Sequence, residues 1–234
     1  MNLLDFVIIA ILGLFVLAGV YKGFLYTSID ILLFILCAAF AFLVTPLVAF
    51  KVEQNEKVFN TMLYYTEGSE NIEDVEYRKK NITEISNAEL EEIYEHSKVA
   101  YPMDERIREN VAAAAFERSN IYTLGDYFNT TMVIFAINVL LFLVFFIGLR
   151  LVLAFLLGWL NYARPLPVLK KLELPAAIGV GLIRGILALF LFFMTVPLVL
   201  TVLPLDFVSD LVEGSVLARF FYYSNFLLNF IHGV

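Results

Sequence analysis

Three ionisable residues sit where ions are expensive. Asp30, Arg150 and Arg184 each interrupt or border a long apolar run. Arg184 lies inside Leu174–Leu203, a stretch of about thirty residues in which it is the only charge, and ten residues in, roughly 15 Å along a helix axis. An arginine at that depth must snorkel to the headgroups, face water, or meet a carboxylate. Asp30 is the carboxylate best placed for that meeting, so the expected chemistry is an ion pair between Asp30 and either Arg184 or Arg150. The competing readings are local. Thr27 or Ser28 would cap a helix with Asp30 in its first turn, and Arg150 would snorkel from the inner end of its helix. Asp5, at the outer edge of the first apolar run, is expected to be solvated in the first helical turn.

Beside Arg184 runs a stripe of small residues, Ala177, Gly181 and Gly185, spaced four apart on one helical face. Such a face lets two helix backbones approach closely in lipid. Gly179 to Gly185 superficially resembles a dinucleotide fingerprint, but its third glycine is displaced by one and no strand precedes it, so packing is the better account. There is no nucleophile elbow, HExxH, Walker loop or EF-hand pattern, which leaves no catalytic, cofactor-binding or metal-ligating residue to nominate. Cys37, the single cysteine, rules out a disulfide within the chain. His96 stands alone among surface residues.

The elements that must position these groups follow from composition. Of 234 residues 61% are hydrophobic, and the mean hydropathy is +0.82, well above a soluble domain. The formal charge of −7 excludes a nucleic-acid partner. The fold class expected is all-α, a polytopic membrane protein with four transmembrane helices. Residues 1–50 hold helices 1 (Leu3–Tyr21) and 2 (Thr27–Phe50), joined at Lys22-Gly23-Phe24. Residues 131–204 hold helices 3 (Thr131–Leu160, long enough to tilt) and 4 (Leu174–Leu203, kinked at Pro197 and ended by Pro204). Asn138 within helix 3 is expected to hydrogen-bond a neighbouring helix, and Trp159 and Tyr162 to sit in an aromatic belt.

Between them, residues 51–130 carry nine Lys or Arg against seventeen Asp or Glu, a net of −8. This reads as a small acidic helical insertion: an apolar stripe at Val58, Phe59, Met62 and Leu63, a break at Thr66–Ser69, a capping box Ser86/Glu89, and a second stripe at Met103, Ile107, Val111 and Ala115. Residues 205–234 read as one interfacial amphipathic helix, with a fifth span as the alternative. Lys22 and the basic loop with Arg164, Lys170 and Lys171 place both short loops inside, so both termini and residues 51–130 are expected outside.

The early Asp5, the first helix ending in Gly19-Val20-Tyr21-Lys22-Gly23-Phe24, and the last helix carrying Gly179-x-Gly181-x-x-Arg184-Gly185 resemble the CvpA family, the colicin V production proteins. The aromatic tail Phe220–Ile231 is similar too. The resemblance implies a bacterial inner-membrane protein with four spans. It also implies a non-enzymatic role in toxin (colicin V, bacteriocin) production or export and in envelope homeostasis. The alternative of another class is a transporter or channel subunit whose charges line a water-filled path. The candidate partners are the lipid bilayer and either a second copy or another membrane protein.

Overall fold

The computed structural model describes residues 2–159, 173–202 and 206–231. These are helical, with no strand among them. In chain order the helices are α1 (Leu3–Lys22), α2 (Phe24–Glu53), α3 (Glu56–Thr66), α4 (Val75–Lys79), α5 (Asn87–His96), α6 (Met103–Ala112), α7 (Leu124–Trp159), α8 (Glu173–Phe193), α9 (Val196–Val202), α10 (Asp206–Glu213), α11 (Val216–Tyr223) and α12 (Phe226–Asn229). Four stretches are long and apolar enough to span a bilayer: α1, α2, Leu124–Leu157 of α7, and Glu173–Val202 across α8 and α9. Large apolar side chains such as Leu14, Leu17, Leu43, Leu47 and Phe155 stand exposed along them. Water would not tolerate so continuous an apolar surface, whereas acyl chains would. The protein is therefore a membrane protein.

Local chemistry sets the helix ends. Asn2 caps α1 by accepting from Leu4 and Asp5, and the Asp5 carboxylate accepts the Asn2 N–H in return, a reciprocal capping box. Gly23 ends α1 at φ 84°, a left-handed value that favours glycine, and α2 begins at the next residue. The Ser86/Glu89 capping box opens α5, which ends at His96.

The chain divides into two compact units. Unit 1 comprises Met1–Val44, Phe142–Thr195 and Asp206–Leu227; unit 2 comprises Thr45–Leu141, Val196–Leu205 and Leu228–Val234. The division falls within α2 and α7. In unit 1 the main packing is α1 on α8, with α11 against both. In unit 2, Ala49, Val133 and Ile137 form a core on which Phe59, Met62 and Leu63 of α3 pack.

Several expectations change. Helix α7 has 36 residues, about 54 Å, well beyond a ~30 Å hydrocarbon core. Tyr127, Phe128, Phe135 and Val139 in its first half are buried among the protein side chains of unit 2, so part of that length packs against protein. The fourth apolar stretch is irregular close to the Pro197 expected to kink it. It breaks at Met194 and Thr195, and α9 restarts at Val196. Pro197 has no N–H to offer the carbonyl one turn earlier, so the ladder cannot run through. The single C-terminal helix is three short ones, of eight, eight and four residues, too short for a fifth span. Ala115 lies beyond the end of α6 and so is not on its buried face, whereas Met103, Ile107 and Val111 are. The basic loop with Arg164, Lys170 and Lys171, the prolines Pro165, Pro167 and Pro204, Tyr162, and the Trp159 side chain lie outside the described residues.

Candidate functional site

Asp30 is in the second turn of α2, because that helix starts three residues earlier than the sequence suggests. Thr27 and Ser28 do not cap it. Their hydroxyls donate 2.9 Å hydrogen bonds back to the carbonyls of Gly23 and Phe24. With its dipole role gone, the Asp30 carboxylate turns to cations. Its Oδ1 accepts from Nη2 of Arg150 on α7, and its Oδ2 lies 2.8 Å from Nη2 of Arg184 on α8. The sequence offered Arg150 or Arg184; the structure engages both, one on each oxygen. Arg150 therefore holds the carboxylate instead of simply snorkelling. The Asp30 side chain is 10% exposed, against 26% for Arg150 and 23% for Arg184. The Arg184 guanidinium also lies 5.4 Å from the Phe15 ring centre on α1, close enough for a cation–π attraction. One carboxylate thus fastens three helices, and an aromatic contact draws in a fourth.

The small-residue stripe explains how α1 comes so near. A Cβ on Gly181 would sit 2.9 Å from the Phe15 carbonyl and 3.0 Å from Val16 Cα. One on Gly185 would meet Leu12 and Phe15 side chains at 3.0 Å. Ala177 is buried in the same seam, and its carbonyl stands 2.8 Å from where a Gly19 Cβ would be. Gly19 is thus the complementary glycine on α1, a packing role the sequence reading did not assign. The adjacent-turn spacing from Phe15 to Gly19 was its signal. Gly179 has nothing within 4 Å of an added Cβ, because it points off the seam; it is not a packing glycine.

Asp5 is fully buried, contrary to the solvated reading. Its Oδ1 accepts from the Ser215 hydroxyl at 2.7 Å and from the Leu217 N–H at 2.9 Å. Ser215 caps α11, accepting from the Ala218 N–H at 3.0 Å. The carboxylate of α1 and the exposed first-turn amides of α11 therefore satisfy each other. The pair is not a catalytic dyad: the hydroxyl is engaged as both donor and acceptor and is shut away from any substrate. Asn225 repeats the theme, its fully buried amide donating at 2.8 Å to the Phe190 carbonyl of α8. The remaining positions around the α1–α2 turn are simpler. Lys22 is exposed with its ammonium 5.2 Å from the Tyr26 ring, Gly23 is the turn, and Phe24 opens α2.

In unit 2, Asn138 donates to Glu53 Oε1 at 3.2 Å, joining α7 to α2 as expected of it. A cavity of about 260 Å³ is lined by Ile72, Glu73, Asp74, Tyr77, Glu89, Glu92, Ile93 and His96. Bonds from Ser86 and Tyr77 hold the Glu89 carboxyl down at about 2. The Glu92 carbonyl at 2.8 Å and surrounding carboxylates push His96 above its ordinary range. Among the described residues no group of three His, Cys, Asp or Glu could hold a metal ion.

No family model, curated protein or solved structure matches the chain.

Proposed function

We propose that this protein is a non-enzymatic membrane scaffold whose helices are locked by the Asp30 carboxylate. The observation that carries the reading is the engagement of both Asp30 oxygens by arginines from two other helices. Breaking such a buried arrangement leaves a charge without a partner, so it holds a fixed geometry better than it cycles. The glycine seam between α1 and α8 supports the same reading, since closely packed backbones leave little room for rearrangement. The resemblance of the short motifs around Gly23 and Arg184 to those of colicin V production proteins supports placing the scaffold in a bacterial inner membrane. There it would assist toxin production or export and envelope homeostasis, with both termini and the acidic insertion outside.

A transporter or channel subunit is the second reading. The partial exposure of both arginine side chains favours it. Proteoliposomes decide between the two. A scaffold passes no ion or solute faster than empty vesicles, and it co-purifies with a defined membrane partner or itself from native membranes. A flux abolished by D30N overturns the scaffold. A reporter inserted within residues 51–130 tests orientation, with an extracytoplasmic signal expected and a cytoplasmic one overturning it.

A further inference from the structure

The charge arithmetic at Asp30 does not close. Two guanidinium groups share one carboxylate, which leaves a net charge of +1. Each guanidinium has five N–H donors, and each reaches Asp30 through one nitrogen. Among the described residues Arg150 has no other polar partner, and Arg184 adds only the Phe15 ring. About a quarter of each arginine side chain remains accessible. An excess cation with unspent donors is costly in hydrocarbon, and among the described residues no carboxylate other than Asp30 is paired with either arginine.

Position along the helices narrows what can relieve it. Arg150 precedes the end of α7 at Trp159 by nine residues, and Arg184 follows the start of α8 by eleven. At ~1.5 Å per residue these are about 14 and 17 Å, close to the ~15 Å half-thickness of the hydrocarbon core, a depth from which long arginine side chains reach toward headgroups and draw water inward. Two planar donor forks that meet at one carboxylate match the several oxygens of a phosphate group better than a monatomic anion.

We propose that Arg150 and Arg184 together hold a second anion besides Asp30, a phosphate group carried by an anionic lipid or free in solution. This site is independent of the scaffold reading, since a scaffold and a transport subunit would both need the charge neutralised. The protein would be reconstituted in nanodiscs of phosphatidylcholine with phosphatidylglycerol, and retained lipid counted by native mass spectrometry. In parallel, inorganic phosphate would be titrated into phosphatidylcholine-only discs while thermal unfolding is followed. Selective retention of phosphatidylglycerol identifies the lipid as source; stabilisation by phosphate identifies the free anion. R150Q or R184Q each leaves one arginine neutralised by Asp30, so whichever signal the wild type gives should weaken by about tenfold or more. Equal binding by wild type and both variants overturns the site. If neither variant folds, the wild type decides alone: no phosphatidylglycerol enrichment and no shift with phosphate overturns it.

Discussion

The same pair of chemical groups occurs in both units with different consequences. In unit 1 an aspartate meets two arginines at 10% exposure; in unit 2 Arg108 meets Glu91 with side chains 36% and 62% exposed. Arg108 also lies 4.5 Å from the Tyr94 ring centre, much as Arg184 lies near Phe15. Geometry is therefore similar and environment is not. Water and salt screen the Arg108–Glu91 pair to about 0–1 kcal/mol. The Asp30 cluster is screened little, and loss of its carboxylate strands two cations. The lesson is that a membrane fold concentrates its ionic energy in very few residues, however many charges its polar part displays.

The largest effect that can break this contrast is D30N. It should lower the folding stability measured in lipid-like detergent by about 3–5 kcal/mol, with little change between low and high salt; a small or strongly salt-dependent loss would erase the distinction. Next comes G181L, which forces side-chain atoms into the Phe15 backbone and should cost about 1–3 kcal/mol. Its cleanest readout is loss of a cysteine cross-link engineered between α1 and α8. S215A, removing one donor from the buried Asp5, should cost about 1–3 kcal/mol and expose α11 to proteolysis. E91Q sharpens the comparison from the other side: its effect should stay below about 1 kcal/mol and vanish in high salt.

The smallest effects are titrations in unit 2. Glu89 is held at about 2, below its ordinary value. Its contribution is present above the unfolded carboxylate range of about 4.3 and is lost as pH falls through about 2. His96 lies on the opposite side. Its raised value means a contribution that is complete below the unfolded value of about 6.5 and fades as pH rises through the folded one. H96Q should flatten that part of the pH profile of unit 2, read by near-ultraviolet circular dichroism.

What the sequence made legible was the cost of burial. Long apolar runs required spans, and ions within them required partners, so Asp30, Arg150, Arg184 and the Ala177–Gly181–Gly185 stripe stood out. That both arginines use one carboxylate was not legible, because spacing along a helix does not count how many neighbours reach the same point. The helix start at Phe24 was missed because Thr27 and Ser28 look like caps. Their hydroxyls can equally bond back along a helix that has already begun. Asp5 was misread for a related reason. A carboxylate in a first turn satisfies its own helix, and nothing local reveals that Ser215 and Leu217, some 210 residues away, also claim it. The interruption at Met194 and Thr195 was half legible, since Pro197 announced a disturbance without saying that the helix stops and restarts.

A double-mutant cycle between D30N and R184Q, with unfolding free energies measured in a reconstituted bilayer, tests the ionic lock directly. The account predicts that the double variant is less damaged than the sum of the singles, with a coupling of about 1–3 kcal/mol, because removing both groups leaves Arg150 alone to be accommodated. Additive losses would contradict it, and Asp30 and Arg184 would then be neighbours that do not hold the helices together.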